Sequence, residues 1–133
     1  VNREATSGGS ARRRVLVVED SEELMQFLED LLALNSYEVV SARNGVEAMV
    51  ALTAPESETP HAVLLDLGLP LESGVSVLTF LRNVMQSGLP VIVLTGRQDP
   101  DDEAAVRQLG ISTYLRKPAS PEQILAAVAR ALA

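Results

Sequence analysis

The chain has 133 residues, 47% of them hydrophobic, and a formal net charge of −7, which suits one globular domain large enough to bury a core. The acidic balance argues against direct binding to nucleic acid or to an anionic membrane, because phosphates reward basic surfaces. There is no cysteine, so disulfides and thiolate metal sites are excluded, and no apolar run approaches a membrane span; a cytoplasmic location is expected. Residues 1–13 read as a flexible N-terminal tail or linker, polar and carrying Ser7-Gly8-Gly9-Ser10. Arg12-Arg13-Arg14 abut the first strand and read as solubilising charges at an edge rather than a nucleic-acid patch. Val1 in place of Met points to a processed or excised chain.

From residue 14 to 133 the chain alternates. Val15–Val18 is a short apolar run that ends in Glu19-Asp20. Ser21 is a plausible N-cap for a helix with Leu24, Phe27, Leu28, Leu31 and Leu32 at helical spacing. Tyr37–Ala42 reads as a second strand, and Asn44-Gly45 opens a second helix whose apolar positions are Val46, Met49 and Val50. Thr53–Pro60 is a polar loop, with His61 a loop residue of no assigned role. Ala62–Leu65 is an uninterrupted apolar strand leading into Asp66-Leu67-Gly68-Leu69-Pro70. A third helix after Gly74 bears Val77, Leu78, Leu81 and Val84, with Gly88 closing it. Val91–Leu94 is the fourth strand, ending at Thr95-Gly96. Asp99-Pro100-Asp101-Asp102-Glu103 starts a helix that stops at Gly110. Thr113–Arg116 is the fifth strand, and Ser120-Pro121-Glu122-Gln123 opens the last helix with capping-box spacing.

Five strands alternating with five helices predict a doubly wound parallel α/β sheet. The second and fifth strands mix in polar residues and belong at the edges, which predicts the flavodoxin-like order 2-1-3-4-5. That order brings the C-terminal ends of strands one, three and four together, the edge where open α/β sheets bind ligands. Glu19, Asp20, Asp66 and Thr95 stand there, and the fifth strand adds Lys117, the single lysine among 11 cations. Three carboxylates in one pocket repel unless a cation compensates, and an all-oxygen cluster suits a hard ion, Mg2+ foremost. A lysine acts as a point charge for a phosphate oxygen, and a threonine hydroxyl is a donor where negative charge develops. These parts fit phosphoryl transfer to Asp66 as nucleophile. Each residue also has a plainer reading: Glu19-Asp20 as a helix precap, Lys117 as a surface cation, Tyr114 as half-buried strand packing. Their joint spacing favours the site.

Glu19-Asp20, Asp66-Leu67-Gly68-Leu69-Pro70, Gly74, Thr95-Gly96 and Lys117-Pro118 together resemble the receiver domain of two-component response regulators, from about residue 14 to the end. The resemblance implies that Asp66 is the phosphoacceptor and takes its phosphoryl group from a phosphohistidine on a sensor histidine kinase or a histidine phosphotransfer protein. It implies that Glu19, Asp20, Asp66 and the backbone carbonyl of Gly68 hold Mg2+. Thr95 and Tyr114 match the switch pair, and the Lys117–Pro118 bond is cis in such domains. The implied activity is limited to the domain's own phosphorylation and dephosphorylation, so it is not an enzyme acting on others. Gly68 and Arg97 stand two residues beyond Asp66 and Thr95, where a side chain gates water, and are taken as modulators of the acyl-phosphate lifetime. The output surface is the fourth helix with Arg107 and Gln108, the fifth strand around Tyr114, and the fifth helix. Because the chain stops at Ala133, the output is expected to be a downstream effector protein or an output domain not included.

Departures from the pattern sharpen this. Ser112-Thr113 precede Tyr114 and Ala119 follows Lys117-Pro118, where acidic residues and an aromatic are usual in receivers that dimerise through the fourth and fifth helices, so that dimer is in doubt. A haloacid-dehalogenase-like phosphatase would need a second acid where Gly68 stands. A flavodoxin-like cofactor binder would want a phosphate-cradling loop where Glu19-Asp20 would repel an anion. A degenerate receiver would lack a pocket residue, and none is missing.

Overall fold

The structure, a computed structural model, describes residues 12–133, so residues 1–11 of the expected tail lie outside the described residues. The elements alternate: β1 (Arg14–Val18), α1 (Glu22–Leu34), β2 (Glu38–Ala42), α2 (Gly45–Leu52), β3 (Ala62–Leu65), α3 (Gly74–Thr79, running on into a π-helical turn over Phe80–Val84), β4 (Val91–Thr95), α4 (Pro100–Leu109), β5 (Thr113–Arg116) and α5 (Pro121–Ala131). All strand pairs are parallel, and the sheet order is β2-β1-β3-β4-β5 in these labels, the doubly wound arrangement expected from the alternation.

Strand composition explains the order. β1, β3 and β4 are buried almost throughout, while β2 and β5 are only partly covered. A two-residue period divides each central strand between two cores. Leu16, Val18, Val63, Leu65, Val91 and Val93 face α2, α3 and α4. Val15, Val17, Leu64, Ile92 and Leu94 face α1 and α5. Side-chain caps start the helices as the sequence suggested: Ser21 for α1, Asn44 for α2, Asp99 for α4 and a full capping box at Ser120 for α5.

Several expectations differ from the structure. The buried face of α2 is Gly45, Ala48 and Leu52, and Val46 and Val50 are exposed, Val50 at 67%. The cause is close approach: a Cβ on Gly45 would overlap the Glu72 backbone, so the helix turns its smallest residues inward. Phe27 is 41% exposed and Val84 is also out in solvent; Met25, Leu28 and Leu32 form the buried stripe of α1. Gly88 does not end α3. The helix widens into its π turn, Gln86 takes the left-handed conformation with φ 53°, and the Ser87 N–H donates to the Leu81 carbonyl at 3.0 Å. The Thr53–Pro60 loop contains a 3₁₀ turn at Glu56–Glu58, and β2 begins at Glu38, one residue later than the pattern suggested.

The basic residues at the start of β1 do more than solubilise. β1 lies inside the sheet, and the Arg14 guanidinium donates to the carbonyls of Ser57 and Thr59 at 3.1 and 3.3 Å. His61 has a structural part: its Nδ1 accepts the Arg14 N–H at 2.8 Å. Arg13 reaches the carbonyl of Leu132 at 3.1 Å. Arg82, in the π turn of α3, donates to the carbonyls of Ser87, Leu109 and Gly110 at 2.8, 3.2 and 2.8 Å. One side chain thereby satisfies carbonyls at the C-terminal end of α4 that the helix itself leaves unpaired.

Candidate functional site

The sheet ladder continues one residue past the strand ends and carries the polar groups to a common edge. The Glu19 N–H donates to Ala42 O at 3.0 Å, Asp66 N–H to Val18 O at 3.1 Å, and Lys117 N–H to Thr95 O at 3.0 Å. Among the described residues Glu19, Asp66 and Thr95 are the buried polar side chains, 2%, 6% and 1% exposed, and Asp20 beside them faces solvent. Close packing locks the loop after β3. The Gly74 N–H donates to Leu67 O at 3.0 Å, and a Cβ on Gly74 would lie 2.6 Å from Leu67 Cα and overlap the Asp66 carbonyl, so only glycine allows α3 to start that near the carboxylate.

Glu19, Asp20 and Asp66 each present a carboxylate oxygen within 4.8 Å of the others. Lys117 bridges two of them, its Nζ 2.9 Å from Glu19 Oε1 and 3.2 Å from Asp66 Oδ2. Glu19 Oε2 accepts the Ser21 N–H at 3.0 Å, and Asp66 Oδ1 accepts the Gly68 N–H at 3.3 Å. Burial raises the Glu19 pKa above its ordinary 4.5, against the pull of Lys117 and the Ser21 amide. Burial also pulls the Lys117 pKa down, but the hydrogen bond it donates to Glu19 and the charge of Asp66 prevail and raise it. Three carboxylates against one ammonium leave the pocket anionic, and its donors are all oxygen, a set that could hold a hard divalent cation.

Thr95 and Tyr114 lie on the same side of the sheet. β4 and β5 pair Val93 with Tyr114 and Thr95 with Arg116, and alternation turns Val91, Val93, Thr95, Tyr114 and Arg116 toward α4. The Thr95 Oγ1 accepts the Arg97 N–H at 3.1 Å. The Arg97 side chain points along the start of α4, with Nε 2.9 Å from Asp102 Oδ2 and Nη2 3.8 Å from Asp99 Oδ2. Among the described residues, no neighbour stands within 4 Å of where a Gly68 side chain would begin. The Lys117–Pro118 peptide is cis. The structure thus brings together Glu19, Asp20, Asp66 and Lys117, sets Thr95 at the adjoining strand end, and leaves Tyr114 half-buried farther along that face.

Sequence reasoning missed the surroundings of Tyr114. Arg107 and Arg116 hold their guanidinium carbons 5.3 and 5.8 Å from the ring centroid, and both pair with Glu103. The Glu103–Arg107 spacing of four residues was a readable signal; its meeting with Arg116 depends on how α4 lies over the sheet.

Comparison with known proteins agrees with this geometry. Residues 15–129 match the family model described as the response regulator receiver domain. The transcriptional regulatory protein PrrA of Mycobacterium tuberculosis is 38% identical over 120 residues, 90% of this chain and 50% of that protein, so the chain spans about half the length of this curated relative. The chemotaxis protein CheY4 of Vibrio cholerae is 27% identical, with a TM-score of 0.81 over 92% of this chain and 100% of that one. A CheY-like receiver domain protein of Methanospirillum hungatei, at 24% identity, shares the fold with a TM-score of 0.84 over 92% and 94% of the two chains. With the family model spanning nearly all of the described residues, the chain belongs to the response regulator receiver domains, signalling modules of two-component systems rather than conventional enzymes.

Proposed function

We propose that Asp66 accepts a phosphoryl group from a phosphohistidine and that the modified domain signals through its α4–β5–α5 surface. The reading rests above all on Lys117, whose Nζ bridges Glu19 Oε1 and Asp66 Oδ2 at 2.9 and 3.2 Å and so sets a fixed positive charge against the reacting carboxylate. An Asp66 oxygen attacks phosphorus, the P–N bond breaks, and its electron pair returns to the imidazole nitrogen, which takes up a proton. The Lys117 ammonium and the Thr95 hydroxyl meet the charge that develops on the phosphoryl oxygens. Water later attacks the mixed anhydride, releasing inorganic phosphate and restoring the carboxylate. Glu19, Asp20 and Asp66, with the Gly68 carbonyl, would hold a divalent cation, Mg2+ by the oxygen donor set, which would supply further charge neutralisation.

The phosphodonor is a sensor histidine kinase or a histidine phosphotransfer protein. Beside Lys117 a groove of about 400 Å³ is lined by Leu24, Phe27, Leu94, Pro118, Ala119 and Ile124, with Lys117 common to the groove and the pocket. An apolar helix carrying the phosphohistidine would lie there and bury the exposed face of Phe27. Phe27→Ala is expected to slow transfer from a phosphohistidine protein by about fivefold or more while leaving labelling by acetyl phosphate unchanged; equal rates from both donors would reject this seat.

The output is a downstream effector or an output domain, since PrrA is a transcriptional regulatory protein about twice the length matched. Direct nucleic-acid contact by this domain is not part of the reading. No helix among the described residues is long and apolar enough to cross a membrane, which suits a cytoplasmic site of action. Once Asp66 carries the new charge, Thr95 turns to it, Tyr114 follows inward, and the population of the α4–β5 face shifts.

Gly68 and Arg97 act on lifetime. The open space over Gly68 leaves water a path to the anhydride, and Arg97 is tied to the site by its N–H on the Thr95 hydroxyl, its side chain pairing with Asp102 and Asp99. Arg97→Ala is expected to shorten the half-life of phosphorylated Asp66 by about twofold or more, followed by the decay of the phosphorylated mass; an unchanged half-life would retire Arg97 as a modulator.

The decisive test of the phosphoacceptor uses acyl-phosphate chemistry. Incubation with acetyl phosphate and Mg2+ should add one phosphoryl unit to the intact mass, and chelation should prevent it. Borohydride reduction should then convert residue 66 alone to homoserine. Homoserine at another position, or none after a confirmed mass gain, would sink the assignment.

A further inference from the structure

Tyr114 sits against charged groups from two elements, its own strand and α4. Arg107 and Arg116 both lie over its ring, 5.3 and 5.8 Å from the centroid, within the range of cation–π attraction. Neither guanidinium is free to choose that position. Glu103 Oε2 accepts from Arg107 Nε and Nη2 at 3.1 and 3.0 Å, and Glu103 Oε1 accepts from Arg116 Nη2 at 3.3 Å. A single carboxylate on α4 therefore ties a cation of its own helix to a cation of β5, with the tyrosine ring against both.

The register gives this tie a direction. Arg116 stands opposite Thr95 and Tyr114 stands opposite Val93, all on the face covered by α4. Arg116 therefore flanks the diagonal that leads from Tyr114 to Thr95. Beyond it, Gln98, Asp99, Pro100, Glu103 and Arg116 line a hollow of about 170 Å³. The Glu103–Arg116 pair thus forms one wall of that hollow, on the face of the sheet that Tyr114 and Thr95 share. α4 itself yields easily, because Val106 is its single fully buried residue among those described, while its C-terminal end is fastened by Arg82.

We infer that Glu103 is a positioning residue for Tyr114: through Arg107 and Arg116 it holds the ring in its half-buried outer seat and sets how readily the α4–β5 face converts. This rests on the phosphoacceptor reading only in its last clause, because the resting position of Tyr114 is a property of the unmodified domain. Releasing the tie frees the ring to turn inward, and the outward-to-inward ratio falls by about two- to fivefold, the worth of one exposed cation–π contact.

The chain offers a direct probe. It has no tryptophan and two tyrosines, so in a Tyr37→Phe background the intrinsic emission belongs to Tyr114 alone. Acrylamide quenching of that emission is measured in the unphosphorylated, metal-free protein. Glu103→Gln is expected to lower the quenching constant, and Arg116→Gln to do the same, with far-UV circular dichroism unchanged. In an Arg107→Ala/Arg116→Ala background Glu103→Gln should have no further effect, since the carboxylate would have lost the groups it acts through. Quenching that is unchanged or increased, or a Glu103→Gln effect that persists without the two arginines, would overturn the proposal. The initial rate of acetyl phosphate labelling, read by intact mass, should rise about two- to fivefold in Glu103→Gln. If the unsubstituted protein gains no mass at all, the phosphoacceptor reading fails while the quenching result still decides the role of Glu103.

Discussion

Asp66→Asn is expected to gain no mass from acetyl phosphate under conditions in which the unsubstituted chain gains one phosphoryl unit. The amide keeps the shape of the carboxylate and the capacity to accept the Gly68 N–H, but it has no nucleophilic oxygen to form the anhydride. Neighbouring acids do not substitute for it. Both Glu19 oxygens are engaged, one by Lys117 and one by the Ser21 amide, and Asp20 is not bonded to Lys117 among the described contacts. The fold should survive, because Lys117 retains Glu19 as a partner and one negative charge leaves a crowded anionic pocket. A stability change within about 1 kcal/mol, read from urea denaturation, fits a replacement of this kind. A full phosphoryl gain by Asp66→Asn would show that the acceptor lies elsewhere, whatever the pocket geometry.

Lys117→Ala should have the second-largest effect, and on two separate readings. Loss of a preorganised positive group next to the developing charge is expected to slow labelling by about 100- to 1,000-fold. The same change leaves Glu19, buried at 2% exposure, beside Asp66 with no cation, which is expected to destabilise the fold by about 1–3 kcal/mol near neutral pH, below the range for a fully buried pair because the Lys117 side chain is 26% exposed.

The pH dependence separates this from ordinary truncation. The folded-state pKa of Glu19 is already raised by burial, and removing Lys117 raises it further. A carboxyl whose folded pKa lies above its unfolded value binds its proton more tightly when folded. Its contribution to stability is present in full below the ordinary 4.5 and is lost as pH rises through the folded value. The deficit of Lys117→Ala should therefore shrink as pH falls from neutral through the raised Glu19 range toward that ordinary value. The intact chain differs at the other end of the scale. There Lys117 has a raised pKa, and its contribution is held below the ordinary lysine value and lost as pH climbs through the folded one. A deficit that does not vary between neutral pH and the glutamate range would show that Glu19 does not depend on Lys117.

Much of this was legible along the chain because it is local. The alternation of apolar strands with capped helices depends on near neighbours, so Ser21, Asn44, Asp99 and the Ser120–Gln123 box mark helix starts that the structure repeats. The near-continuous apolar character of β1, β3 and β4 against the mixed β2 and β5 is a statement about how many sides of a strand meet water, and from it the sheet order follows. With order and parallel direction known, Glu19, Asp66, Thr95 and Lys117 had to emerge at one edge.

What the linear pattern could not contain is how close and at what angle the layers meet. Val46 and Val50 look like the inner face of α2 until the Glu72 backbone comes near enough that only Gly45 and Ala48 fit against it. Gly88 looks like the stop for α3, yet the π turn and the three carbonyls gathered by Arg82 end that helix at another place. The partners of Arg97 and the knot of Glu103, Arg107 and Arg116 on Tyr114 belong to the same class. Amino-acid order alone determined which groups reach the carboxylate edge, because strand period and burial are properties of each segment. Tertiary structure decided which of them touch, because a hydrogen bond or ion pair is made or lost within about an ångström, a distance set by the packing of helices against the sheet.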